Sequence, residues 1–371
     1  MSNFDFDAVV VGAGAVGLAC GYALARRGLI VAVIEAEEAI GQGVSSRNSE
    51  VVHAGLHYPT GSLKARLCVE GRRALYAFLE ARHIPHAKCG KLIVATQDDE
   101  VGHVEALLAQ GLANGVEGLE SVSRAEAVGL EPELSCVMAL VSAESGVFDS
   151  HGYMLALEGN IEAHGGSVVL RCPVERVERT PDALFRLVTG GDNPGAITCR
   201  NLVLSAGLHA SKLAGTLSYG TGYQPPETYY AKGQYYALSG RSPFQRHIYP
   251  LPDGAWLGLH ATVDMGGRCK FGPDIEWIPG LDYSFVPEKL EKFLEFIRSY
   301  YPGLEVERLH ADYTGIRPKL YREGEAVPDF AIHGTDKHGE KGLVALYGIE
   351  SPGLTASLAI GEVVAGMLAA R

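Results

Sequence analysis

Runs of apolar residues divide this chain into elements, and the first run is the most informative. Val9, Val10 and Val11 form an unbroken apolar strand that enters Gly12-Ala13-Gly14-Ala15-Val16-Gly17 and continues into an Ala-rich helix. A continuously apolar strand is one buried on both faces, as in a parallel sheet. Gly28 closes the helix, and a second apolar strand over 29–34 ends on Glu35. The order strand, Gly-x-Gly-x-x-Gly, helix, strand, acid predicts a dinucleotide-binding unit. The first glycine permits a tight turn, the second lets a pyrophosphate approach the backbone, and the third lets helix and strand pack closely. A helix N-terminus there offers unpaired N–H groups to phosphate. Glu35 is placed to accept hydrogen bonds from an unphosphorylated ribose, which favours NAD or FAD over NADP. The motif alone does not separate those two.

Beyond this unit, Ser62 caps a helix predicted over 63–82, with apolar residues Leu63, Leu67, Ala74, Leu75, Phe78 and Leu79 at helical spacing. A strand over 91–95 and a helix over 101–113 follow. Strands are predicted over 167–170, 174–177, 184–188 and 197–205, the last running into Ala206-Gly207. From 228 to 271 the pattern changes to short strands, over 235–238, 247–249 and 256–260, which read as an antiparallel sheet. A helix over 290–300, a strand over 343–347, Gly348 and a closing helix complete the chain. The expected class is α/β (α+β), a discontinuous Rossmann-like domain with an antiparallel-sheet substrate (cap) domain. The expected boundaries are 1–86, 145–220 and 318–371 for the first, 87–144 and 221–317 for the second.

Composition narrows the function. With 371 residues, 47% of them hydrophobic, the chain can bury a large core. A net charge of −12 argues against nucleic acid as a partner. Seven scattered cysteines without a Cys-x-x-Cys pair point to free thiols in a reduced compartment, with no metal site expected. No basic leader precedes the first strand, and neither the apolar run over 8–25 nor that over 354–370 reads as a membrane span. The expected location is cytoplasmic, with peripheral membrane contact left open.

Four segments carry a family resemblance: Gly12 to Gly17 with Glu35; the run 45–68 from Ser45-Ser46-Arg47-Asn48-Ser49 through His53 to Lys64 and Cys68; Ile248-Tyr249-Pro250 with Leu257-Gly258-Leu259-His260; and Gly348-Ile349-Glu350-Ser351-Pro352-Gly353-Leu354-Thr355. The chain resembles the FAD-dependent oxidoreductases of the D-amino-acid-oxidase/glycine-oxidase superfamily, most closely their L-2-hydroxyglutarate dehydrogenase/oxidase group. Two segments depart from that group. Gly315-Ile316-Arg317-Pro318 looks like the amino-acid-oxidase version, and 230–236 keeps only part of the expected pattern. The segment 87–140 carries no motif.

The resemblance implies non-covalently bound FAD and a small carboxylate substrate. It places Gly12, Gly14, Ala15, Val16, Gly17, Glu35 and Ala36 at the adenosine and pyrophosphate, with Ser45, Ser46, Asn48 and Ser49 in a loop that bonds phosphate and flavin edges. Val174 would pass the adenine, and Ala206-Gly207 would crowd the pyrophosphate. Gly348, Ser351, Gly353, Leu354 and Thr355 would bring a helix N-terminus to the flavin, where it stabilises negative charge on the reduced ring. Glu350 is expected to bond ribityl hydroxyls or backbone.

For catalysis, Arg317 is the candidate for gripping a carboxylate. His53 and His260 are the candidates for the base that alcohol oxidation needs. Tyr58, Lys64, Lys232 and Tyr249 are candidates for a second carboxylate. The expected reaction is oxidation of an L-2-hydroxy acid, 2-hydroxyglutarate-like, to the 2-oxo acid, with electrons passing to a quinone, an electron carrier or oxygen. Oxidation of an amino acid or secondary amine is the alternative, and a non-catalytic dinucleotide-binding protein is the third reading.

Overall fold

The computed structural model describes residues 4–192, 194–251 and 258–369. Its first sheet is built around the opening strand Phe6–Val11. That strand is flanked in parallel by Val31–Ile34 and by the end of Gly195–Leu204, with Val10 opposite both Val33 and Val203. Ser167–Val169 extends the sheet beyond Val31–Ile34, and Leu343–Tyr347 extends it beyond Leu202–Leu204. Val9, Val10, Val31, Val33, Leu202 and Val203 have no exposed surface. Layers cover both faces, so these strands could be continuously apolar. Phe185–Thr189 turns back antiparallel on the first half of Gly195–Leu204, and Val174–Arg179 pairs antiparallel with Phe185–Thr189 in turn.

The helix Ala15–Ala25 packs against this sheet and against the closing helix Gly353–Ala369. The two helices touch backbone to backbone, because a Cβ at Gly361 would lie 2.6 Å from the Ala19 carbonyl oxygen. The apolar run over 8–25 is therefore a strand and a buried helix, as expected. Among the described residues no helix is long and apolar enough to cross a membrane.

The second sheet gathers strands from two distant stretches of chain. Lys91–Ala95, Met138–Ser142 and Leu119–Ser123 come from the segment without motifs; Tyr229–Leu238, His247–Pro250, Ala261–Val263, Cys269–Phe271, Glu276–Ile278 and Leu309–Lys319 come from later. Among the described residues its pairings are antiparallel with one exception: His247–Pro250 runs parallel to Lys91–Val94, so the cap sheet is mixed at the seam that joins its two halves. Leu309–Lys319 was not legible as a strand, yet it pairs along nearly the whole of Tyr229–Leu238. Of the strand predicted over 256–260, only the last three residues are described. Residues 252–257 lie outside the described residues, 258–260 are irregular, and pairing begins at Ala261. The helix Leu290–Tyr300 covers this sheet with Phe293, Ile297 and Tyr300, all fully buried, and Tyr300 Oη donates to the Leu259 carbonyl at 2.8 Å.

Candidate functional site

The two sheets meet at a cavity of about 1200 Å³. It runs from the turn Gly12–Gly17 past Ser45–Ser49 to the first turn of the closing helix, and the second sheet roofs its far end. Every residue singled out from the sequence for cofactor binding lines it, as do His53, His260 and Arg317.

At the near end the glycines divide the work. Gly12 has φ +103°, and a Cβ there would lie 2.4 Å from the Ser205 carbonyl oxygen. A Cβ at Gly17 would lie 1.9 Å from the Gly12 oxygen, so the turn closes on itself there. Gly14 has ordinary extended dihedrals, and its missing Cβ leaves room beside Ser45 Oγ. Ser45 Oγ accepts from the Ala15 N–H at 3.0 Å, and Glu35 accepts from the N–H groups of Ala13 at 2.7 Å and Glu37 at 3.1 Å. Glu35 is thereby fixed at the end of its strand by backbone donors.

The loop after it is braced internally. Asn48 Nδ2 donates to the Ser45 carbonyl at 2.7 Å, its Oδ1 accepts from the Glu50 N–H at 2.8 Å, and Tyr313 Oη donates to the Asn48 carbonyl at 2.5 Å. Asn48 thus spends both ends of its amide on the loop. Arg47 reaches across to the Thr314 carbonyl at 3.2 Å and lies over the Tyr283 ring.

At the far end, Thr355 Oγ1 ties the closing helix to the His53 segment, accepting from the His53 N–H at 3.1 Å. His53 Nε2 lies 3.2 Å from Ser351 Oγ, and Nδ1 lies 3.4 Å from Lys91 Nζ. Desolvation, then the Lys91 ammonium, hold the His53 imidazole well below its ordinary pKa, so it is neutral at pH 7. His260 stacks on Tyr249, with ring centres 3.5 Å apart. Arg317 sits on Leu309–Lys319 opposite Ala231, and its Nη2 donates to the Asp274 carbonyl at 2.7 Å. The bare Cα of Gly233 leaves the guanidinium its space, since a Cβ there would lie 3.0 Å from Nη2. Among the described residues no carboxylate forms an ion pair with Arg317. Its charge is therefore available to an anion in the cavity.

Three expectations are corrected. All three concern the second carboxylate, and Glu350, which lines the cavity, decides the first of them. Its carboxylate is ion-paired with Lys319 at 2.6 Å and Lys64 at 3.7 Å, all three nearly buried. Lys64 is thus committed to Glu350 and to the Pro328 carbonyl, and it does not line the cavity. Lys232 is spent on Asp282, Glu276 and the Ser284 carbonyl, also away from the cavity. Tyr58 hydrogen-bonds Ser351 from behind, which leaves Tyr249 as the one member of that group on the cavity wall.

Sequence reasoning missed Lys91, Tyr235 and His247. Tyr235 lines the cavity, stacked on Tyr313. His247 is fully buried, accepting from the Val263 N–H at 3.2 Å while Nε2 faces the Gly146 carbonyl at 3.1 Å. The one signal for Lys91 was a cation opening an otherwise apolar strand, Lys91-Leu92-Ile93-Val94-Ala95.

Comparison with known proteins bears on this geometry. The DAO family model, described as FAD dependent oxidoreductase, matches residues 7–367. The protein named L-2-hydroxyglutarate dehydrogenase, mitochondrial, from Arabidopsis thaliana is 42% identical over 399 aligned residues, covering 97% of this chain and 82% of its own length. The Homo sapiens protein of the same name is 29% identical, covering 98% and 89%. Among solved structures, L-alpha-glycerophosphate oxidase from Mycoplasma pneumoniae superimposes with a TM-score of 0.88 at 23% identity, over 99% of this chain and 95% of that one. Glycine oxidase from Geobacillus kaustophilus gives 0.83 at 21%, over 100% and 96%. At these identities the structures speak for the fold alone.

The cavity fits a flavin dinucleotide. It exceeds the 300–1,000 Å³ of an ordinary small-ligand pocket, a Cβ-free backbone faces it at Gly14, and a long helix begins at its far end.

Proposed function

The chain belongs to the DAO family of FAD-dependent oxidoreductases, and from that premise we propose that it oxidises L-2-hydroxyglutarate, or a close 2-hydroxy dicarboxylate, to the 2-oxo acid. The observation that carries this reading is the presence, in one cavity, of an Arg317 that among the described residues has no carboxylate partner and of a His53 held neutral. The 42% identity with a protein named for L-2-hydroxyglutarate supports the choice of substrate.

Bound FAD supplies the acceptor for the hydride. In this reading the turn Gly12–Gly17 and Ser45 hold its phosphates, Glu35 its ribose, and the first turn of the closing helix meets the flavin. Arg317 grips the substrate carboxylate, its fork pre-oriented by the bond to Asp274. Neutral His53 accepts the hydroxyl proton, which an imidazolium could not do. The parallel stack of His260 on Tyr249 fixes a second imidazole over the same space, where it bonds the distal half of the substrate. A neutral amine substrate has no hydroxyl proton to remove, so a neutral histidine at this position would be idle.

Anaerobic mixing of the yellow holoenzyme with a panel of hydroxy acids and amino acids tests the reading. Bleaching of the flavin by L-2-hydroxyglutarate is expected. Bleaching by amino acids and not by hydroxy acids would reverse it.

A further inference from the structure

Lys91 is fully buried at the start of its strand. Besides His53 Nδ1 at 3.4 Å, its Nζ lies 3.7 Å from the centre of the Tyr249 ring, the same ring that stacks on His260. The titratable groups around it are His53, His57, His247, Cys68, Cys89 and Tyr249. Among the described residues no carboxylate is within ion-pairing distance of Lys91. A buried ammonium with no counter-ion is expensive. Burial accordingly brings the Lys91 pKa down to about 7.

This geometry resolves a difficulty. His53 alone is a poor base, because desolvation and neighbouring positive charge penalise its imidazolium. We propose that Lys91 is a positioning residue that sets which ring nitrogen of His53 carries the proton and stores the proton that the substrate hydroxyl gives up. With Lys91 as a free amine, its lone pair accepts from His53 Nδ1–H, and Nε2, which meets Ser351 on the cavity wall, is left with its lone pair to act as base. As the hydroxyl proton bonds to Nε2, the Nδ1 proton passes to Lys91 Nζ, and the hydride leaves to the bound FAD. The pair thus takes up one proton, the imidazole ends neutral, and the charge rests on the ammonium. With Lys91 already protonated, its N–H occupies Nδ1, Nε2 carries the hydrogen, and the base is blocked.

The proposal rests on the functional reading above, and two measurements separate their failures. The first needs no substrate. In holoenzyme labelled with ¹⁵N-histidine, the His53 signal, assigned by its loss in H53N, should convert from the Nε2–H to the Nδ1–H form as pH rises through about 7. In K91M it should keep one form throughout. The second is the rate of flavin reduction by L-2-hydroxyglutarate against pH. The wild type should show a rising limb near pH 7. K91M should reduce about 100-fold more slowly, without that limb, with its substrate dissociation constant and flavin spectrum close to wild type, and K91R should not restore the rate. An invariant His53 tautomer in the wild type would overturn the proposal. So would a K91M rate within about threefold of wild type, or full rescue by K91R, which would reduce Lys91 to a fixed charge. If K91M fails to retain FAD, the wild-type titration decides alone. A wild-type enzyme that L-2-hydroxyglutarate does not reduce overturns the functional reading and leaves the tautomer titration standing.

Discussion

Replacing Gly14 by alanine should separate cofactor binding from folding, because the glycines of the opening turn are constrained in different ways. Gly14 has φ −74° and ψ 171°, dihedrals that any residue adopts. Its added Cβ would meet only Ser45 Oγ, at 3.0 Å, with the Ser45 Cβ at 4.0 Å. A serine side chain can rotate away, so the apoprotein tolerates the change. Gly-to-Ala at a compatible position even stabilises by about 0.4–1 kcal/mol through the unfolded chain. Cofactor binding does not tolerate it. In the proposed binding mode the methyl group stands where the pyrophosphate approaches, and a displaced Ser45 abandons the Ala15 N–H. Losing one charge-assisted hydrogen bond from a backbone N–H to the pyrophosphate costs about 1.5–3 kcal/mol, or roughly 10–150-fold in affinity. Titration of apoprotein with FAD, followed by quenching of flavin fluorescence, should give a dissociation constant weakened by that factor. The thermal midpoint of apo-G14A should be no lower than wild type. G17A is the control: its Cβ would lie 1.9 Å from a backbone oxygen, so it should lose stability and FAD together. A G14A dissociation constant within about threefold of wild type, or an apoprotein as unstable as G17A, would refute the reasoning.

R317A should raise the KM for the hydroxy acid about 10–150-fold, the cost of one charged hydrogen bond, with the flavin spectrum unchanged; an unchanged KM would remove Arg317 from the site. E350A leaves the buried ammoniums of Lys64 and Lys319 without their anion and should cost about 3–5 kcal/mol, read as a lowered thermal midpoint. His247, fully buried with its pKa down to about 3 from 6.5, binds its proton only in the unfolded chain between those values. Stability should therefore rise with pH across that window, and be lost as pH falls through it, by up to about 1.4 kcal/mol per unit from this residue, a slope that urea unfolding should find missing in H247Q. Lys91 acts with the same sign higher up: its cost is complete below about pH 7 and relieved as pH rises towards 10.5, so K91M should flatten the stability profile there.

What the sequence made legible, and what it hid, follow from how far each property depends on neighbours along the chain. The parallel core could be read because strands buried on both faces are apolar without interruption, and the dinucleotide turn because its demands on Gly12, Gly14 and Gly17 are local. Leu309–Lys319 was opaque because its burial follows no two-residue alternation: Leu309 and Thr314 to Ile316 are buried while His310 to Asp312 are exposed. In the segment 87–140 the strand over 91–95 and the helix over 101–113 could be read, but Leu119–Ser123 and Met138–Ser142 could not, and the partner of Lys91–Val94 lies more than a hundred residues later at His247–Pro250. Charge was hardest of all. Arg317, Lys64 and Lys232 were equal candidates for an anionic substrate on residue type alone. They differ only in what the fold puts beside them: Glu350 neutralises Lys64, Glu276 and Asp282 neutralise Lys232, and Arg317 is met by a backbone carbonyl, which orients a guanidinium without cancelling its charge. Lys91 belongs with Arg317, a cation left without an anion, but it is turned towards an imidazole instead of the cavity. An acidic protein can thus hold two basic side chains that have no carboxylate partner among the described residues, a guanidinium facing the cavity and a lysine facing the imidazole behind its wall.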